Sequence, residues 1–262
     1  MTPMMLALIL TYVLQIPFNG AEVAKDWANL KGDHFVIYHQ AANSAFSRET
    51  LRRAEQYYDK IAKELGYSRR DNFWLWENRC AIYLFESKEA FSKVTQQAVW
   101  SSGFAIPDKR AIISYEGATD FLESILSHEL AHLIFRDFVG LGNQTIPLWM
   151  DEGVAMSQEE SRRPFFDHLV KQMISQNKWV AIPDLTQIQS LQGITVNEAA
   201  VFYAESQSLA RYLLAADHPE RFIQMCRDLR DGKSIDQSLS KNYPKKFPSV
   251  SDLEQNWVEN SG

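Results

Sequence analysis

The chain has 262 residues, 45% of them hydrophobic, with 7 Trp, 10 Tyr and 15 Phe, which excludes disorder as its main state. Eleven Gly and only 2 Cys exclude collagen-like and disulfide-scaffold classes. Thirty-three acidic against 27 basic residues leave a formal charge of −6, mixed along the chain, which argues against nucleic acid as a partner.

The first 21 residues carry no Asp, Glu, Lys or Arg, and Met4 to Phe18 is mostly apolar. A transmembrane helix needs ~20 apolar residues, and Gln15 and Pro17 weaken this shorter run. The apolar region of a signal peptide fits better, with small residues Gly20, Ala21 and Ala24 beyond it, although no Lys or Arg precedes it. Residues 1–24 are therefore read as a signal peptide and 25–262 as the mature domain, exported to the periplasm or outside the cell. The other readings are an uncleaved segment that anchors the chain to a membrane and a buried N-terminal strand. Export permits a Cys80–Cys226 disulfide; two buried thiols in different elements is the other reading.

His34–Tyr38 reads as a strand, and Ser47–Leu65 as a helix with apolar residues at Leu51, Ala54, Tyr58, Ile61 and Leu65. Gly66 follows as its C′ residue. Cys80–Phe85 is a second strand, Ser87 opens a short helix, and Arg110–Tyr115 is a third strand reached through a Gly103 and Pro107 loop. Strands separated by helices, then a helical remainder, predict an α+β domain. Asp120 is expected to cap the next helix with Glu123 in the reciprocal position. That helix runs through Leu122, Ile125, Leu126, Leu130, Leu133 and Ile134 to Gly140, apolar on more than one side and hence buried.

Inside it stands Ser-His128-Glu129-Leu-Ala-His132. Two His four residues apart share a helix face, so both imidazoles reach one metal ion, while Glu129 sits beside them as a general base. In a chain with 6 His, chance gives this pattern in roughly 1% of cases. A catalytic zinc needs a third protein ligand and one open position. Pro147-Leu-Trp-Met-Asp151-Glu152-Gly153-Val-Ala155 lies downstream, with Pro147 suited to a first helical turn. Glu152 is read as the third ligand, against the plainer reading of Asp151 and Glu152 as a solvated acidic face. Gly153 costs ~1 kcal/mol inside a helix, and close packing against the metal helix would justify it.

HELAH followed by WMDEGVA resembles the gluzincins of the peptidase MA clan, in particular the bacterial peptidase-MA-like domain proteins, whose pattern is H-E-x-x-H and then W-x-D/N-E-G-x-A. The resemblance extends weakly over about residues 34–215. It implies a zincin-like fold, with a small N-terminal sheet and active-site helix before a mainly helical half. It implies one zinc on His128, His132 and Glu152, with Glu129 as base and proton shuttle. Thermolysin-like members place an Asp four residues after the Glu ligand; Met156 stands there, so another group must orient a ligating His. The helix at about 197–216 carries Tyr203 in a Tyr-x-x-Ser segment similar to one in the family. Tyr203 is either a hydrogen-bond donor to the oxyanion or an ordinary half-buried aromatic. Arg211 and Glu205 read as surface or structural charges, and His34, His39, His168 and His218 as structural.

Beyond Pro219, helices are expected near 221–230 and 234–239, and Ser251-Asp-Leu-Glu254 reads as the capping box of a last one. The expected activity is hydrolysis of a peptide or protein substrate by a zinc metallopeptidase, with the 110–115 strand pairing with extended substrate. A zinc-dependent hydrolase or transferase on another substrate, or a non-catalytic binding protein, are the competing readings; an intact Glu129 beside three ligands opposes the last.

Overall fold

The computed structural model of the chain describes residues 18–40, 44–66, 74–96, 101–142 and 146–261. Positions 4–17 of the apolar leader lie outside them. The elements in order are α1 (Gly20–Val23), β1 (Ala28–Lys31), β2 (Phe35–His39), α2 (Ala45–Glu64), β3 (Cys80–Phe85), α3 (Lys88–Thr95), β4 (Gly103–Ile106) and β5 (Ala111–Tyr115). Helices follow: α4 (Leu126–Val139), α5 (Leu148–Ser157), α6 (Arg163–Ser175), α7 (Ile182–Gln187), α8 (Val196–Ala216), α9 (Pro219–Arg230), α10 (Ile235–Asn242) and α11 (Val250–Ser261). The fold is α+β, a small sheet followed by a mostly helical half, as the sequence predicts. No helix among the described residues is long and apolar enough to cross a membrane.

Two compact units divide the chain: Met1–Ile61 with Ser68–Leu133, and Ala62–Tyr67 with Ile134–Gly262. The first holds a five-stranded sheet in the order β1-β2-β3-β5-β4. β2, β3 and β5 run parallel at its centre, and β1 and β4 pair antiparallel at its edges. β5 is buried along its whole length, as a central strand covered on both faces must be, whereas β2 alternates, with Phe35 and Ile37 inward. Because β5 lies between β3 and β4, it has no free edge for substrate; that expectation is corrected, and β4 is the edge strand on that side. Gly103–Ile106, expected as loop, is therefore strand, its four residues held by pairing with β5.

The capping of the HELAH helix is also corrected. Asp120 takes the left-handed conformation at φ 59° and makes no side-chain cap, and Phe121–Ile125 winds as one π-helical turn before α4. Asp tolerates that backbone better than most residues. The Leu122 carbonyl accepts from the Tyr57 hydroxyl at 2.8 Å, and Glu123 pairs with Arg53 at 3.1 Å instead of closing a capping box. At the other end of the chain Ser249, not Ser251, caps α11 by accepting from the Asp252 N–H. Glu254 is drawn off by the Ile182 N–H at 2.6 Å.

The second unit packs helices on α8. Its core includes Trp149, Val154, Phe202, Leu209, Leu213, Phe222 and Trp257. α5 and α8 approach at backbone contact: a Cβ on Gly153 would lie 2.2 Å from the Ser206 carbonyl oxygen and 2.8 Å from Ala210 Cβ. The glycine is thus explained by α8 and not, as expected, by the metal helix.

Candidate metal centre

α4 is a helix of Leu, Ile and Phe on a buried body. It ends where Gly140 adopts φ 74°. Its last carbonyls would be left without helical partners. Arg227 donates to the Phe138 oxygen at 2.7 Å and Arg230 to the Val139 oxygen at 2.6 Å. Two guanidinium groups also suit the negative end of the helix dipole. The helix that carries the histidines is therefore fixed at its far end by α9.

Along α4, His128, His132 and Arg136 recur every four residues and form one stripe. The Nε2 atoms of His128 and His132 stand 3.1 Å apart, with the rings edge to face. Nitrogens on a tetrahedral metal with arms of ~2.0–2.1 Å are about 3.3 Å apart, so the pair already has the spacing of a metal edge. His128 is buried and so is Glu129, at 3% exposure. The Ala105 N–H of β4 donates to Glu129 Oε2 at 2.9 Å, which orients the carboxylate. That contact was not legible in the sequence, where β4 reads as loop.

α5 begins after Pro147, which stands at the cap position, one residue before the first helical turn. Trp149 Nε1 donates to Thr186 Oγ1 at 3.2 Å, and Gln207 Nε2 to the Met156 oxygen at 2.8 Å. Asp151 does not stand free as an acidic face: its Oδ2 accepts from Arg136 Nη1 at 2.9 Å. Glu152 lies close to the two histidines. One ligand atom from each of His128, His132 and Glu152 lies within 4.8 Å of the others. Two imidazoles and a carboxylate this close together are lone-pair donors of the kind that suit a divalent metal.

Tyr203 is buried on α8 and lies edge-on to Phe202, with ring centroids 5.6 Å apart. It belongs to the helix stripe of Ser206, Gln207 and Ala210 that meets α5. Glu205 is fully buried, not a surface charge, and accepts from the Val180 N–H at 2.7 Å. Arg211 pairs with Asp167 at 2.8 Å. His34 stacks on Tyr58 and meets Glu55 at 2.7 Å, a structural role as expected. Cys80 and Cys226 are both free and buried, which selects the thiol reading over the disulfide. Burial pushes the Cys226 thiol well above its usual range.

Residues 74–260 match the family model of the Peptidase MA superfamily. No curated protein matches the chain at a significant level. Since the match takes in β3, β4, β5, the HELAH helix and the helical half as far as residue 260, the chain belongs to the Peptidase MA superfamily.

Proposed function

We propose that the chain is a gluzincin-type metallopeptidase, holding one zinc on His128, His132 and Glu152 and hydrolysing peptide bonds. The convergence of those three ligand atoms within 4.8 Å, beside a buried Glu129, carries the reading. Zinc held there supplies Lewis acidity toward a carbonyl and lowers the pKa of water to ~7. Glu129 takes the proton of the attacking water on its carboxylate and passes it to the leaving amine. The Ala105 N–H fixes that carboxylate beforehand, so little reorganisation accompanies the transfer. Tyr203 donates its hydroxyl to the oxyanion. An extended peptide pairs with the outer edge of β4, which has no strand beyond it among the described residues.

Metal analysis of the purified protein, then cleavage of a mixed peptide library with and without chelator, tests this directly. One zinc per chain and chelator-sensitive cleavage are expected, with His128→Ala/His132→Ala devoid of both. Glu129→Gln keeps its zinc and loses at least ~10²–10⁴ in rate. Full activity in Glu129→Gln, or zinc retained by the double histidine variant, refutes the assignment.

Export through the uncharged apolar leader is the companion proposal, with a mature chain beginning between Gly20 and Lys25. Amino-terminal sequencing of the protein from its native host decides it. The experiment has a structural edge, because Phe18 is buried edge-on to Tyr83 at 5.1 Å. An intact Met1 on a cytoplasmic protein overturns export, and an intact membrane-bound start makes the leader an anchor.

A further inference from the structure

Asp151, Glu152 and Gly153 are consecutive, and consecutive positions of an α-helix point about 100° apart. Each direction has its own partner. Asp151 meets Arg136, Glu152 joins the histidines, and Gly153 lies against the backbone of α8. Two neighbouring carboxylates pose a selection problem, since either could ligate a divalent cation and a roll of α5 by one residue would exchange them.

We propose that Arg136 and Asp151 are positioning residues that select Glu152 as the third ligand; the inference rests on the metal reading above. Arg136 lies four residues past His132 on the same stripe, about 6 Å further along α4. Its guanidinium therefore draws Asp151 to a point one turn beyond the histidines and leaves the next residue of α5 opposite them. The bond is charge-assisted, 2.9 Å long, with the side chains 25% and 13% exposed, so it is shielded better than an open surface pair. Arg136 also neutralises a carboxylate that would otherwise compete for the cation. On the opposite side, the Ser206 carbonyl against Gly153 and Gln207 on the Met156 carbonyl resist the same roll. α4 itself is held by Arg227 and Arg230 on its last carbonyls, so the stripe gives α5 a fixed reference.

The test measures zinc dissociation constants by chelator competition on the full chain, beside the melting temperature of the metal-free protein. The variants are Arg136→Gln, Arg136→Lys, Asp151→Asn and the double Arg136→Gln/Asp151→Asn. Groups that orient metal ligands change affinity by about 10–100-fold, and each neutral single variant should weaken zinc by that factor. The double variant should lose no more than the weaker single one, and Arg136→Lys should recover most of the affinity. Metal-free melting temperatures should barely move. The near-isosteric Asp151→Asn keeps the test open if an Arg136 variant fails to fold. Lower melting in every variant with an unchanged zinc constant makes the pair a brace only and overturns the proposal. Zinc loss in Asp151→Asn as complete as in Glu152→Gln makes Asp151 itself the ligand and overturns it too. A wild-type protein that takes up no zinc fails at the earlier reading, before any pair variant is examined.

Discussion

Asp228 and Glu205 are both buried carboxylates of the helical unit, at 3% and 0% exposure, yet their surroundings have opposite electrostatic character. Asp228, at the α9–α10 corner, receives Lys233 Nζ at 2.7 Å, Lys241 Nζ at 2.8 Å and the Asn242 amide at 2.9 Å. Burial alone would raise its pKa, but those donors outweigh burial and hold it well below the usual carboxylate range. Glu205 has the Val180 N–H on one oxygen and no cation among the described residues. Burial, assisted by the charge of Glu254, pushes it up to about 8. Burial thus does not decide a charge state; the sign of the partners does. The His128, His132 and Glu152 cluster is a third case, with two imidazoles and a carboxylate whose ligand atoms lie within 4.8 Å of one another, and the proposed function puts the balancing positive charge on a metal ion. The same logic explains why Asp151, one residue away, is answered by Arg136 and not left to compete.

Removing the Asp228 carboxylate should give the larger loss of stability. Asp228→Ala deprives two Lys and one Asn of their common acceptor. Hydrogen bonds to a charged group contribute about 1.5–3 kcal/mol, and the partial exposure of both Lys, at 40% and 50%, keeps the total near the upper part of that range and not at a multiple of it. Urea unfolding at neutral pH should therefore show a loss of about 2–3 kcal/mol, with zinc content and peptide cleavage intact at temperatures where the variant is folded. The pH dependence has a definite sign. A carboxylate with a depressed folded pKa stabilises the fold above its unfolded value of ~3.9, and that contribution fades as pH falls toward the folded value. Wild type should accordingly lose stability steeply below about pH 4, and Asp228→Ala should lose less over the same interval. Equal acid limbs in the two proteins would place the acid-sensitive contact elsewhere.

The same distinction accounts for what could be read in the sequence. His128, His132 and Glu129 were legible because helix geometry alone fixes their relation, whatever packs around them. β3 was legible in full, since Cys80–Phe85 is a hydrophobic run bounded by Arg79 and Glu86. β1 and β4 were not: Ala28–Lys31 is a mostly exposed edge, and Gly103–Ile106 exists as strand only through its ladder with β5. The π turn before α4 leaves no periodic mark, because a single i→i+5 turn is too short to shift the pattern of apolar residues. Gly153 announced a close approach, but the metal helix expected as its partner gave way to α8. Arg136 lay in plain view on the histidine stripe, but its bond to Asp151 spans 15 residues and a loop, and no local rule joins them.

At Glu205 a gain and not a loss is expected, and it is hidden at low pH. With its folded pKa raised to about 8, Glu205 keeps its proton through neutrality, while in the unfolded chain it releases that proton near pH 4.5. The folded state therefore binds more protons between those values, so stability is full below the unfolded pKa and declines as pH rises through 8. Glu205→Gln reproduces the shape of the protonated carboxyl and retains an oxygen for the Val180 N–H. At pH 5 the variant and the wild type should differ by well under ~1 kcal/mol, as expected of a near-isosteric change. By pH 9 the variant should be the more stable, with a ceiling of about 5 kcal/mol set by the span between the two pKa values and a smaller observed gain as the ionised site relaxes. Denaturant titrations of both proteins from pH 5 to 9 measure the divergence. Glu254, whose carboxylate accepts from the Ile182 N–H at the start of α7, sharpens the test: Glu254→Gln should bring the Glu205 pKa down and flatten the wild-type slope. Parallel curves for wild type and Glu205→Gln would mean that water or a rearranged α7 satisfies the ionised carboxylate, and that its surroundings resemble those of Asp228 more closely than the hydrogen bonds indicate.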